Sequence, residues 1–170
     1  MERRVIELEL VGVRVELPAN QPIILLKEVN GTRYLPIWIG ATEAAAIAFA
    51  LQGVETPRPL THDLFVDVLG SLDVDLAAVH ITDLQDGTYY AELQLTQNGT
   101  VHSVSARPSD AIALASRMED VAILGEASVL DEAGIEIADE EVDGDQDPEE
   151  EVQRFRDFLD TVTPEDFKNG

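Results

Sequence analysis

The sequence contains no cysteine in its 170 residues. This absence excludes a disulfide framework and a thiolate-bound metal site. Long apolar runs are missing too: the longest, residues 44–51, is much shorter than the roughly 20 residues that a membrane-spanning helix needs. The first residues alternate between charged and apolar, as in a strand, and do not form the apolar block of a signal peptide. We therefore expect a cytoplasmic protein that makes no contact with membranes.

Basic side chains are scarce. Lys and Arg number 11 against 34 Asp and Glu, which gives a net charge of -23. Residues 131–170 hold 16 acids and 3 bases, a net charge of -13, and residues 1–130 hold 18 acids and 8 bases, a net charge of -10. Because nucleic-acid binding depends on neutralising phosphates, this balance argues against a large basic surface for RNA or DNA. It leaves room for a small local site that attracts divalent cations.

Several catalytic signatures are also missing. The sequence has no Walker loop, no dinucleotide-binding glycine pattern, no His-Glu-x-x-His motif and no nucleophile elbow. Aromatic residues make up 5% of the chain, and its tyrosines and tryptophan are not interleaved with basic residues, so no stacking surface for single strands is visible. Any chemistry must therefore come from a constellation without a familiar linear motif.

The apolar pattern predicts an α+β fold. Alternating residues separated by Asn-Gly and Asp-Gly turns indicate strands joined in hairpins, and Gly12 predicts a bulge in the first strand. These strands cover residues 5–18, 23–29 and 33–39, a meander within 79–106, and 121–124. Helical periodicity predicts helices over 41–52, 61–72 and 108–117, with a further turn at 127–133. The expected fold is a mixed, mostly antiparallel sheet with about three helices packed on it, plus a C-terminal amphipathic helix.

The second of these helices carries an apolar stripe that we expect to be buried. Its members recur at helical spacing and are Leu64, Phe65, Val68, Leu69 and Leu72.

The charge pattern divides the chain into three parts. Residues 1–135 are the predicted domain, 136–148 an acidic linker, and 149–170 a helical extension. The apolar stripe of that extension is Val152, Phe155, Phe158, Leu159 and Val162. Such a stripe has to dock, either on its own domain or on a neighbouring subunit.

Polar residues cluster at the predicted helix starts. Glu43, Asp63 and Asp110 each lie in a first helical turn, where a carboxylate is favoured by the helix dipole. We predict that Thr42 and Thr61 cap the first two helices. His62 adjoins Asp63. Carboxylates with one histidine suit Mg²⁺ or Mn²⁺, so Glu43, Asp63 and Asp110 are the candidate metal ligands.

The predicted start of the third helix carries a basic residue, Arg107. Pro108 suits the first helical position, and either Arg107 or Ser109 could be the N-cap. Arg107 opposes the helix dipole, which indicates an anionic partner. That partner is either an acid such as Asp110 or a bound phosphate.

Three stretches together resemble the bacterial and plant bifunctional nuclease domain family. They are Leu35-Pro36-Ile37-Trp38-Ile39-Gly40 with Glu43-Ala44, Arg58-Pro59-Leu60-Thr61-His62-Asp63-Leu64, and the run from Ser105 to Ala115. The resemblance covers residues 1–135. It implies an α+β domain with a mixed sheet, self-association, and activity on both RNA and DNA. It also marks a set of candidate catalytic positions, which are His62, Asp63, Arg107, Ser109 and Asp110.

Three hypotheses follow. The first is a homo-oligomeric nuclease, assisted by Mg²⁺ or Mn²⁺, with His62 as a ligand or general base and Arg107 on the phosphate of RNA or DNA. The second is a non-catalytic oligomeric binding or regulatory module in which the same polar residues are caps and ion pairs. The third is a small-ligand sensor that uses Arg107 for an anionic group.

Overall fold

The computed structural model describes residues 3–16 and 20–137. The predicted extension at 149–170, and the predicted linker from residue 138 onward, lie outside the described residues. Within the described ranges, no helix combines the length and the apolar character that crossing a membrane requires.

Among the described residues, eight strands form one sheet. They are β1 (Val5–Glu16), β2 (Gln21–Glu28), β3 (Arg33–Trp38), β4 (Asp75–Gln85), β5 (Thr88–Gln97), β6 (Thr100–Ala106), β7 (Ala122–Glu126) and β8 (Ile135–Glu136). Their spatial order is β6-β5-β4-β7-β1-β2-β3-β8. Every neighbouring pair is antiparallel except β4 and β7, which run parallel. The predicted α+β fold with a mixed, mostly antiparallel sheet is therefore confirmed.

The turn chemistry sets the hairpins of the meander. Asp86 and Gly87 have φ of 50° and 79°, and Asn98 and Gly99 have φ of 50° and 77°. These values fit the left-handed pair of a type I′ turn, whose twist matches that of the flanking strands. The predicted bulge also appears, because the register of β1 with β2 shifts between Leu10 and Gly12.

Within residues 20–137, four helices accompany the sheet: α1 (Ala41–Leu51), α2 (Thr61–Ser71), α3 (Pro108–Ala115) and α4 (Ala127–Ala133). Helix α3 is central, since it packs against β4, β5 and β7 and is also contacted by α1 and α2. Its residues Ala111, Ile112, Ala113 and Leu114 are at most 2% exposed. Burial of this segment holds the starts of three helices near one another.

The prediction of a buried stripe on α2 is wrong. Of its five members only Leu69 is buried, at 6% exposure. The other four are exposed, at 53% for Leu64, 44% for Phe65, 46% for Val68 and 59% for Leu72. Helix α2 packs chiefly against α3, so most of its apolar side lacks a cover among the described residues.

Candidate functional site

The starts of α1, α2 and α3 surround one cleft of about 980 Å³. They meet there because α1 and α2 both pack on α3. The charged and titratable side chains that line the cleft are Glu43, His62, Arg107, Asp110 and Arg117. Four of the sequence-predicted positions are thus brought together.

Arg107 is the N-cap residue of α3, with Pro108 following in the first turn. Its Nε donates to Asp110 Oδ2 at 2.9 Å, and its Nη1 lies 3.0 Å from Glu43 Oε1. The hydrogen bond from Arg107 to Asp110 raises the pKa of the guanidinium, so the group stays charged. The side chain is 61% exposed. Arg107 therefore bridges two helix starts while keeping a face open to an anion from solution.

His62 forms the second contact of Asp110. Its Nε2 lies 2.9 Å from Asp110 Oδ1, and the imidazole is 16% exposed. An ionised carboxylate only accepts hydrogen bonds, so the hydrogen of a neutral His62 ring sits on Nε2. Its Nδ1 then carries a free lone pair, which is the state that a general base needs.

The charge on Asp110 is secured by these partners. Burial of the carboxyl pushes its pKa upward, but the hydrogen bonds from His62 and Arg107 outweigh that effect, and the pKa of Asp110 lies below its ordinary value. Asp110 is thus an anion that both orients the histidine and holds the arginine.

Asp63 does not line the cleft, and its side chain contacts Leu60 and Arg117 instead. Its Oδ2 accepts from the backbone N–H of Leu60 at 3.0 Å, and its Oδ1 accepts from Arg117 Nε at 2.8 Å. The hydrogen bond from Arg117, followed by that from the Leu60 amide, lowers the pKa of Asp63. Asp63 therefore accepts a hydrogen bond from the N-cap backbone amide of α2 and connects this helix start to Arg117, just after the end of α3.

The predicted caps Thr42 and Thr61 are wrong, because the N-cap residues are Gly40 and Leu60.

Arg117 is the residue that sequence reasoning missed. It is 9% exposed, and its Nη1 also donates to Ala113 O at 2.9 Å. The available signal was its position seven residues after Asp110, which on the helix predicted over 108–117 puts both residues on one side, two turns apart. Two aromatic side chains were missed as well, since Phe49 and Phe65 line the cleft.

Two of the expected roles find no support in this arrangement. Ser109 is 6% exposed and does not line the cleft. Among the described residues, no group of three or more His, Asp or Glu side chains could hold a metal ion. Asp63 is turned toward Arg117, while Glu43 and Asp110 share Arg107 between them. The donor set Glu43, Asp63 and Asp110 therefore does not fit a metal as it stands.

Comparison with known proteins agrees with the fold and with the motifs. A family model described as the bifunctional nuclease domain matches residues 24–138. An uncharacterized protein of Mycobacterium tuberculosis is 53% identical over 167 residues, covering 95% of this chain and 98% of that protein. Bifunctional nuclease 1 of Oryza sativa subsp. indica is 29% identical over 101 residues, covering 58% of this chain and 30% of the rice protein. The chain belongs to the bifunctional nuclease domain family.

Proposed function

We propose that the chain hydrolyses phosphodiester bonds of RNA and DNA in the cleft at the three helix starts. The observation that carries the proposal is the bridging carboxylate of Asp110, which holds His62 Nε2 and Arg107 Nε at 2.9 Å each. The proposed base and the proposed phosphate-binding group are thereby held next to one another in the lining of one cleft. Membership of the family supports the same activity.

The nucleophile follows from the two substrates. DNA has no 2′-hydroxyl, so one site that acts on both polymers cannot depend on that group, and this proposal takes water as the nucleophile. His62 Nδ1 takes a proton from that water as its oxygen attacks phosphorus. The bond from phosphorus to the leaving sugar oxygen then breaks, and solvent protonates that oxygen. Asp110 keeps the imidazole in the correct tautomer and stabilises the imidazolium that forms.

Arg107 supplies electrostatic stabilisation of the transition state. Negative charge grows on the non-bridging phosphate oxygens in the transition state, and a guanidinium placed there stabilises it. Its Nη2 makes no hydrogen bond to any residue that the structure describes, so it can donate to phosphate while Nε stays on Asp110. Glu43 and Asp110 then fix the plane of the guanidinium. In a chain with a net charge of -23, Arg107 is the cation that this proposal places on the phosphate.

The expected role of Mg²⁺ or Mn²⁺ stays a prediction. The three acids do not form a ligand set in this arrangement, so no step above passes through a metal. An assay with each cation and with EDTA measures this dependence directly.

A second candidate is the non-catalytic module. The observation that favours it is the internal pairing of the site: His62, Glu43 and Arg107 all contact carboxylate or guanidinium groups of the same cluster. Such contacts fix helix starts whether or not any substrate binds. The two candidates differ in whether the cluster residues control hydrolysis.

The deciding experiment measures cleavage of end-labelled single-stranded RNA and DNA by the purified full chain. Reactions contain Mg²⁺, Mn²⁺ or EDTA, and the Arg107→Ala protein is compared with Arg3→Ala, a matched control at an exposed arginine outside the cleft. The nuclease account expects at least about a hundredfold loss for Arg107→Ala and none for the control. Equal cleavage by all three proteins would favour the non-catalytic module.

A further inference from the structure

The cleft at the three helix starts changes from polar to apolar along its length. Each helix presents one stripe of side chains to it, because residues three and four positions apart lie on the same side of a helix. The stripes begin with polar residues and end with apolar ones, and they run from Thr42 to Phe49 on α1, from His62 to Phe65 on α2 and from Arg107 to Leu114 on α3. The apolar end of the cleft therefore lies one to two helical turns, roughly 5–11 Å, beyond the charged end.

Two phenylalanines line this apolar end. Phe65 is 44% exposed and follows His62 by three residues, so its ring lies on the same side of α2 as the proposed base. Phe49 reaches the cleft from α1 and is half-buried. Exposed aromatic rings beside a cation are the surfaces on which single-strand-binding proteins stack bases. No such surface was visible in the sequence, because the two rings belong to different helices and share one cleft only in the folded chain.

The cleft has too few cations to hold a nucleic acid by its phosphates. Among the described residues that line it, the only arginines or lysines are Arg107 and Arg117. Arg117 is 9% exposed and donates to Asp63 and to the carbonyl oxygen of Ala113. Binding through phosphates depends on several such contacts, and here Arg107 offers about one. Phosphate contacts inside the cleft therefore supply little of the affinity for a polymer, and the apolar end has to supply more.

We propose that the apolar end of the cleft binds an unpaired nucleobase, which stacks on Phe65 while its phosphate lies on Arg107. The inference rests on the proposed function, because it takes the substrate of the nuclease as the occupant. A nucleotide has the same two-part character as the cleft, since one sugar joins a charged phosphate to an aromatic base. The cleft volume of about 980 Å³ is at the upper end of the roughly 300–1,000 Å³ of small-molecule sites, so a base and its sugar fit within it.

Stacking on Phe65 defines the substrate class. Every base has a π-face, and stacking makes no use of the 2′-hydroxyl, so the same cleft accepts RNA and DNA of many sequences. A base inside a duplex has both faces covered by its neighbours, and it reaches the cleft only after it has been unpaired and unstacked. The substrate is therefore single-stranded, and kcat/KM for a duplex should be at least about tenfold lower than for either of its strands.

The test measures binding of a labelled single-stranded DNA to the full chain by fluorescence anisotropy. The strand has phosphorothioate linkages, which resist hydrolysis, and a companion strand with the same linkages has no bases. Phe65→Ala removes the ring and Phe65→Tyr keeps it. Leu64→Ala is the matched control, because Leu64 is the neighbouring residue of α2, is 53% exposed and does not line the cleft. The Kd for the strand with bases should rise at least about fivefold in Phe65→Ala and stay within about twofold in the other two variants.

The abasic strand separates a base contact from a structural effect of the substitution. If Phe65 stacks on the base, Phe65→Ala does not weaken binding of the abasic strand further, because the partner of the ring is already missing. Equal losses on both strands, or no loss on either, would overturn the proposal. So would a native protein, shown by thermal melting to be folded, that binds the two strands equally or binds neither. Absence of binding would leave the cleft to a small anionic ligand.

Cleavage of unmodified strands separates this proposal from the nuclease itself. Hydrolysis that depends on Arg107 but proceeds equally on duplex and single strands would overturn the base site and leave the proposed function standing. Base-dependent binding by a native protein that cleaves no strand would support the base site and overturn the proposed function. If both proposals are correct, the loss in Phe65→Ala appears in KM rather than in kcat, because the stacked base is held equally in the ground state and in the transition state.

Discussion

Replacing Asp110 by asparagine removes the carboxylate that contacts both His62 and Arg107, with almost no change in side-chain volume. The charged Arg107 is always a donor, so the single amide oxygen of the new side chain is drawn to it. The amide NH₂ then faces His62 Nε2, which lies 2.9 Å from Asp110 Oδ1 in the native protein. The imidazole has to accept at Nε2 and carry its hydrogen on Nδ1. The proposed base is thereby in the wrong tautomer.

Two magnitudes follow from this rearrangement. Hydrogen bonds to a charged group contribute about 1.5–3 kcal/mol, and the Asp110 side chain is 33% exposed, so we expect a loss near the lower end, about 1.5 kcal/mol of unfolding free energy. General-base catalysis contributes about 10²–10⁴-fold, so kcat should fall by at least about a hundredfold. The loss of activity thus far exceeds what partial unfolding could cause.

The assay pairs hydrolysis rates with urea unfolding of the same preparations. Asp67→Asn is the matched control, because Asp67 is an exposed carboxylate on α2 that does not line the cleft. An Asp110→Asn protein that is folded and retains activity within twofold of the native protein would refute the tautomer argument.

Three further predictions concern residues near Asp110. Arg107→Lys removes the planar fork at an exposed site, so kcat for oligonucleotides should fall about tenfold while urea unfolding changes by less than about 1 kcal/mol. Asp63→Asn should cost about 1 kcal/mol at neutral pH in urea unfolding, by weakening the contact with Arg117 and the helix start. Since the pKa of Asp63 is lowered on folding, its stabilisation is present above the ordinary aspartate pKa of about 3.9 and is lost as the pH falls through the lowered value, so the two proteins should converge in acid. Gly40→Ala places a Cβ against the Glu43 carboxylate, which can move aside because it is the far end of a flexible side chain. The backbone of residue 40 is extended, so it accepts alanine without strain. Stability should change little while activity falls up to about tenfold, and an unchanged hydrolysis rate would show that Glu43 does not position Arg107.

Much of the fold could be predicted because turn chemistry and alternation are local. Asp86-Gly87 and Asn98-Gly99 specify their turns by the left-handed backbone that they adopt. Gly12 likewise marked the bulge of β1. The two-residue strand β8 was not predicted, since its pairing with β3 depends on long-range contact and leaves no periodic signal.

The exposure of α2 could not be predicted, because periodicity shows which residues share a face and not whether anything covers it. Leu64 and Leu69 belong to the same predicted stripe, yet one is 53% exposed and the other 6%. This difference in exposure depends on which side of α2 packs against α3, which is a property of tertiary packing.

The candidate site was predicted in position but not in detail. Three carboxylates at helix starts were expected to converge, and the helix starts do surround one cleft. Which way each carboxylate turns depends on the nearest cation. Arg117 forms an ion pair with Asp63, and Arg107 forms one with Asp110. Neither ion pair could be predicted from the spacing of the acids alone.

The most direct test of the proposed chemistry is the rate of oligonucleotide hydrolysis by the His62→Ala protein, measured with and without added imidazole. If His62 is the general base, kcat falls by about 10²–10⁴-fold, and imidazole diffusing into the vacated space restores part of it. Full activity in the folded His62→Ala protein, with no response to imidazole, would contradict the account.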